Sequence, residues 1–300
     1  MKVIRQKYST PFKPVANNVS IILGYFDGVH LGHQLLIEVA RENAKNPLVI
    51  MTFAKPVASF IKNQKSDDVL TSLDDRFKLI SRYNVDYYYV LDIDEKFLNL
   101  SAEEFIKILQ SMNVKEIFCG VDYRFGKGRL GDPNLLAKYF TVFSVPTVNK
   151  FHEKVSSFDI KNRIKNGDLQ HANDLLGHNY IITGTVIHGK ELGRSIGFPT
   201  MNIKLSDNYV LPKFGVYKAV AYIEGMPHLS IVNVGLNPTV ENREIPSIEV
   251  HVKEYHQQNY TETIQIEFLE FIREEKKFAS IEELKKQIAE DTKRVFNENL

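Results

Sequence analysis

An α/β domain built on a parallel sheet, followed by a small antiparallel β-barrel with a C-terminal helix, is the fold class the sequence predicts. Three observations predict it. From residue 19 to about 145, short apolar runs alternate with amphipathic stretches of helical period, the signature of a sheet covered on both faces. After Tyr180 the period drops to two, with Gly or Pro turns between most of the apolar runs. The chain then closes on one more helical stretch, 281–297, striped by Leu284, Ile288 and Val295.

Taken in order, the predicted strands of the first part span 20–23, 48–53, 87–91, 116–119 and 141–145, and the helices 34–45, 73–83, 102–112 and 133–139. Ser101 followed by Glu104 reads as a capping box for the third helix. A helical stretch from Val155, with serines as natural N-caps, breaks at Gly167-Asp168, and a short helix then runs to Leu176 with Gly177 as its stop. Barrel strands are predicted at 181–187, 216–223, 229–234, 247–253 and 264–271. The change of pattern sets the domain boundary, with 1–178 as the first domain and 179–300 as the second.

Composition excludes several function classes. The 300 residues carry a net charge of +1, so no strong field calls for nucleic acid or an anionic membrane. No apolar run is long enough to span a bilayer, and the first residues lack an apolar signal core. Cys119 is the sole cysteine, which rules out a disulfide framework or a cysteine-based metal cluster. It falls in an apolar run and reads as a buried core thiol; a cytoplasmic location is expected.

The chain is organised around the run from Ile21 to His33. An apolar strand feeds Gly24, Asp27, Gly28 and Gly32, and His30 and His33 stand three residues apart where a helix begins. The free N–H groups and positive dipole end of a first helical turn favour an anion, and glycines let a nucleotide approach the main chain. The P-loop lysine is missing and the spacing is not that of a dinucleotide fingerprint. H-x-G-H at such a turn resembles the nucleotidyltransferase superfamily.

Other segments carry weaker signals. Gly120–Arg129, rich in glycine, cations and aromatics, follows a strand end; it is either a solvated turn or a second wall of the nucleotide site that includes Asp122, with Arg124 or Lys127 near phosphate. Ser156, Ser157 and Lys161 are explained by a helix cap or by a triphosphate contact. In the barrel, Gly193-Arg194-Ser195-Ile196-Gly197-Phe198-Pro199-Thr200-Met201-Asn202 combines a glycine-rich backbone with Thr200 and Asn202, whose oxygens share a side and suit Mg²⁺ brought in with ATP. Glu249 shares a polar strand face with His251 and Lys253: a solvated carboxylate, or a general base if that face lines a pocket.

Together these runs, with Pro212–Tyr217, Asn233–Thr239 and the Glu249 strand, resemble in order the bacterial bifunctional riboflavin kinase/FMN adenylyltransferase (FAD synthetase) family. The resemblance implies a Rossmann-like nucleotidyltransferase domain followed by a riboflavin kinase barrel. It implies that the barrel phosphorylates riboflavin to FMN with ATP and Mg²⁺, Thr200 and Asn202 holding metal and phosphates and Glu249 acting as base. It implies that the first domain adenylylates FMN to FAD, with His30, His33, Ser156, Ser157 and Lys161 about the triphosphate. Riboflavin, FMN and ATP are then the partners, and FMN and FAD are substrate and product rather than prosthetic groups.

The chain departs from the family pattern in places. Tyr25 stands where Asn is usual; Ala54-Lys55-Pro56 lacks the usual acidic residue and histidine. Phe158 and Lys161 replace Thr and Arg, and Asn237 replaces a frequent Arg. Lysine keeps the charge but not the bidentate fork. A kinase with a vestigial first domain is therefore the second expectation. A non-catalytic flavin- or nucleotide-binding regulator is the third, against which Thr200, Asn202 and Glu249 speak.

Overall fold

The computed structural model describes residues 1–60, 68–187, 197–238, 244–253 and 263–297. The chain forms two compact units, Met1–Asp67 with Leu73–Ser157, and Asp68–Ser72 with Phe158–Leu300. The barrel pattern begins at Tyr180 as expected, but the unit that contains it starts earlier in sequence.

The first unit contains strands β1 (Lys2–Lys7), β2 (Val19–Leu23), β3 (Leu48–Phe53), β4 (Tyr87–Asp92), β5 (Val114–Gly120) and β6 (Thr141–Val145). They form one sheet in the order β1-β4-β3-β2-β5-β6, parallel throughout. Helices α1 (Leu31–Asn43), α2 (Leu73–Ser81), α3 (Glu95–Leu98), α4 (Ala102–Ser111) and α5 (Pro133–Leu136) connect them, and β7 (Asn149–Lys150) pairs with β8 (Glu153–Lys154) in a small ribbon.

Alternation along β2 splits the core between two faces. Ile21 joins Val49, Ile117 and the α4 residues Phe105 and Leu109, whereas Ile22 joins Ile50, Phe118 and the α1 residues Leu36 and Ile37. That is why the strands read as continuous apolar runs. The capping box at Ser101 and Glu104 is present. Cys119 is buried, and burial pushes its thiol up to about 12, so it is an inert core residue.

Strand β1 was not expected. Its residues are mostly polar because it is an edge, and its register on β4 is pinned by Arg5, whose Nε and Nη2 donate to Asp92 at 2.8 and 3.0 Å.

In the second unit, α6 (Ser157–Asn166, its first residue counted with the first unit) and α7 (Leu169–Leu176) precede strands β9 (Tyr180–Ile187), β10 (Met201–Leu205), β11 (Gly215–Ile223), β12 (Met226–Pro238), β13 (Glu244–Val252) and β14 (Thr263–Glu274) and helix α8 (Ile281–Asn297). Gly177 ends α7 in the left-handed conformation, φ 74°, as its position predicts. The strands close into a barrel, β10-β13-β12-β11-β14-β9, with every pair antiparallel.

Ile182, Ala219, Val232, Val250, Ile266 and Phe268 are fully buried, as the inward positions of such a barrel must be. Helix α8 lies on the outer face, where Val295 packs with Val216 and Ile231. Strand β10, absent from the five predicted, is the sixth that closure requires.

Candidate functional site

In the first unit, β2 runs out at Leu23 into a turn whose backbone is unusual. Phe26 has φ 60° and Val29 φ 41°, both left-handed, and Gly28 has φ 80°. Strain of this kind costs on the order of 1–3 kcal/mol per residue and concentrates at functional sites. Gly24 is required next to it, because a Cβ there would meet the Phe26 ring at 2.9 Å. His30 takes the extended conformation at the N-cap of α1, so the open N–H groups of a 13-residue helix begin beside it.

The two histidines meet as the spacing predicts. Their rings stack with centroids 3.7 Å apart and 18° between planes, and the Phe26 ring stands 5.1 Å from His33. Asp27, Gly28 and His30 are buried, and Ser157 Oγ donates to the Asp27 carbonyl at 2.9 Å. The sequence thus brings Ser157 to the turn from 130 residues away. Burial, then the His30 ring, then the Arg76 charge hold the His33 imidazole well below its ordinary pKa. It is a neutral hydrogen-bonding group at pH 7.

Two residues at this turn carried no signal in the sequence reading. Arg76 is 1% exposed; its Nη1 donates to Thr52 Oγ1 at 2.9 Å and to the Phe53 carbonyl at 3.0 Å, and its guanidinium lies 4.2 Å from the centre of the Tyr25 ring. Thr52 Oγ1 in turn donates to the Tyr25 carbonyl at 2.8 Å. Arg76 lies on α2 among Asp74, Asp75 and Lys78, where a solvated charge is the natural sequence reading.

The other predicted phosphate residues are placed differently. Asp122 pairs with Lys154 at 2.5 Å, and that hydrogen bond lowers the Asp122 pKa. The Arg124 guanidinium turns back to the Tyr123 carbonyl at 2.8 Å. Ser156 is half-buried in the first unit. Lys161 belongs to the second unit, where its Nζ donates to the Asp68 carbonyl at 2.5 Å, while Lys165 pairs with the Asp68 carboxylate.

In the barrel, register assembles a second polar group. Ile248, Val250 and Val252 point inward, which leaves Glu249 on the outer face. Asn202 on β10 and Asn233 on β12 are its direct cross-strand partners. Directly paired residues share a face, so three adjacent strands present Asn202, Glu249 and Asn233 in a row. Thr200 Oγ1 reaches the Glu249 carboxylate at 3.5 Å, a long contact.

His251 Nδ1 donates to the Pro199 carbonyl at 2.8 Å, fixing the segment that carries Thr200, and the Phe198 ring meets His251 edge-on at 5.9 Å. Gly197 has φ 90° with open space beyond its Cα. Gly193 and Arg194 lie outside the described residues.

One unit thus sets a stacked pair of imidazoles beside the open N–H groups of a helix start, and the other sets a hydroxyl and two amides about a carboxylate. The class they define is the nucleotide-dependent transferases.

Comparison with known proteins narrows the class. A family model described as riboflavin kinase matches residues 176–298, and one described as FAD synthetase matches 12–159. The bifunctional riboflavin kinase/FMN adenylyltransferase of Listeria monocytogenes is 36% identical over 283 residues, covering 91% of this chain and 90% of its own. That of Bacillus subtilis is 37% identical, covering 90% and 89%, and that of Escherichia coli K12 is 34% identical, covering 97% and 96%. A crystal structure of a Streptococcus pneumoniae protein, solved as a macrolide-efflux protein, superposes with a TM-score of 0.88 at 32% identity over 100% of both chains. The chain belongs to the bifunctional riboflavin kinase/FMN adenylyltransferase family.

Proposed function

We infer that this chain carries out both reactions of its family: ATP-dependent phosphorylation of riboflavin to FMN in the barrel, and adenylylation of FMN to FAD in the parallel-sheet domain. The observation that carries the reading is the register that sets Glu249 directly between Asn202 and Asn233, with the Thr200 hydroxyl on its carboxylate. The functional domains are proposed as 1–178 and 179–300.

In the kinase reaction Glu249 accepts the proton of the terminal ribityl hydroxyl as that oxygen attacks the γ-phosphorus of ATP, and ADP leaves. Thr200 and Asn202 offer neutral, hard oxygen donors, the set that suits Mg²⁺ retaining water and phosphate ligands. When bound, Mg²⁺ supplies charge neutralisation on the phosphates. Gly193, Arg194, Gly197, Phe198 and Pro199 are proposed to frame the same phosphates.

In the adenylyl transfer an FMN phosphate oxygen attacks the α-phosphorus of ATP and pyrophosphate leaves. The nucleophile is already ionised, so no strong base is needed. The turn from Gly24 to Gly32 and the N–H groups of α1 receive the triphosphate, and His30 and the neutral His33 donate hydrogen bonds to it. Asp27, Ser156 and Ser157 shape that turn, and Asp122 and Arg124 are proposed for the nucleotide's further contacts. An ATP-dependent enzyme with one buried thiol fits the cytoplasm.

One observation favours the kinase-only reading: Lys161, proposed for the pyrophosphate, is engaged by Asp68. Incubation with riboflavin, ATP and Mg²⁺, followed by separation of riboflavin, FMN and FAD over time, decides between them. FMN converting to FAD supports both activities. FMN accumulating alone leaves the kinase, and no product overturns the enzyme reading.

A further inference from the structure

A fully buried guanidinium is expensive unless an anion or a dense set of acceptors compensates it. Arg76 is 1% exposed, and no carboxylate among the described residues pairs with it. Its Nε and the nearby Tyr88 hydroxyl are buried without a hydrogen-bond partner, as is His33 Nδ1. Buried unsatisfied polar atoms are rare, and their grouping about the Arg76 charge calls for a functional reason.

The contacts that Arg76 does make all lead to one place. Nη1 holds the end of β3 through Thr52 Oγ1 and the Phe53 carbonyl. Thr52 passes the connection on to the Tyr25 carbonyl, and the guanidinium plane supports the Tyr25 ring from 4.2 Å. Tyr25 directly precedes Phe26, the first left-handed residue of the strained turn that ends in the histidine pair. A strained turn persists only when its surroundings over-determine it.

We propose that Arg76 is the positioning residue of the nucleotide turn: through Thr52 and the Tyr25 ring it holds residues 24–33 in the conformation that presents His30, His33 and the start of α1 to phosphate. It contacts no substrate, being sealed beneath the turn. Lysine is not an equivalent, because the role needs a planar group that donates sideways and stacks at once. The proposal rests on the reading of the first domain as the adenylyltransferase.

The test uses the full chain with Arg76→Lys, Arg76→Met and Thr52→Val. Hydrogen exchange of the 24–33 amides is read by mass spectrometry, and FMN-to-FAD and riboflavin-to-FMN rates are read separately. Expected are faster exchange confined to 24–33, an FMN-to-FAD kcat/KM lowered about 10- to 100-fold with the ATP KM raised, and an unchanged kinase rate in all three variants. Thr52→Val removes only the relay hydroxyl, so it answers the question if the Arg76 variants fold poorly. Unchanged exchange at 24–33 in Thr52→Val and Arg76→Lys, or a kinase rate that falls in parallel, overturns the proposal. If the wild type forms no FAD, the adenylyltransferase reading fails, while the exchange measurement still judges Arg76.

Discussion

Glu249 and Asn202 stand 47 positions apart in the sequence and directly opposite each other on β13 and β10, both on the outward face of the barrel. The pairing converts a carboxylate that reads as solvated surface into the centre of a polar row that Asn202 and Asn233 flank and Thr200 joins. A one-residue slip of β13 would send Glu249 into the apolar interior and bring Val250 outward. The site therefore depends on register more than on any local motif.

Glu249→Gln keeps the shape of the row and removes the proposed base. Riboflavin phosphorylation should fall by about 10²- to 10⁴-fold while FMN supplied directly is still converted to FAD. Chromatography of the two half-reactions checks this. Equal loss of both would mean that the substitution had damaged the fold instead.

Gly32→Ala separates stability from function in the first domain. The added Cβ would stand 3.2 Å from His30 Cε1 and 3.3 Å from its Nδ1, so the ring, stacked on His33, must give by about a few tenths of an ångström. Alanine in a helix is favoured over glycine by up to about 1 kcal/mol. FAD formation should drop several-fold with the thermal midpoint unchanged or raised, as calorimetry and the FMN-to-FAD assay will show.

The depressed His33 pKa makes stability pH-dependent. The unfolded chain takes up a proton near pH 6.5 that the folded chain refuses until a lower pH. Stability is thus full above about 6.5 and is lost as pH falls from there toward the folded value, by at most about 1.4 kcal/mol per pH unit. Urea titrations at several pH values should show this slope in the wild type and a shallower one in His33→Gln.

Helix α8 is held by an ion pair between half-buried Arg273 and buried Asp291. Arg273 Nε donates to both Asp291 oxygens at 3.0 Å and Nη2 to one at 2.7 Å, with Asp291 5% exposed. Asp291→Ala removes the carboxylate from a guanidinium that water still reaches, and should cost about 1–2 kcal/mol. The Phe296 ring of the same helix lies 6.1 Å from the His251 ring, two residues beyond Glu249. The kinase rate should accordingly fail at lower urea than in the wild type.

The order of elements, the parallel sheet, the barrel and the H-x-G-H turn were all legible in the sequence, because hydrophobic period and glycine placement act over a few residues. The helix 281–297 and the strands 48–53 and 141–145 have the predicted bounds. Edge strand β1 and strand β10 escaped: the one buries little, and the other is five residues after a proline, so neither leaves a strong period.

What only the tertiary structure decided is which charges meet. Lys161 and Arg76 are both cations on amphipathic helices, yet one is taken by Asp68 and the other is sealed beneath the Tyr25 ring. Periodicity assigns a residue to a face, whereas its partner is chosen by chain closure over tens of residues. The sequence determined where the glycine turn and its histidine pair would stand; packing decided which side chains lie against that turn.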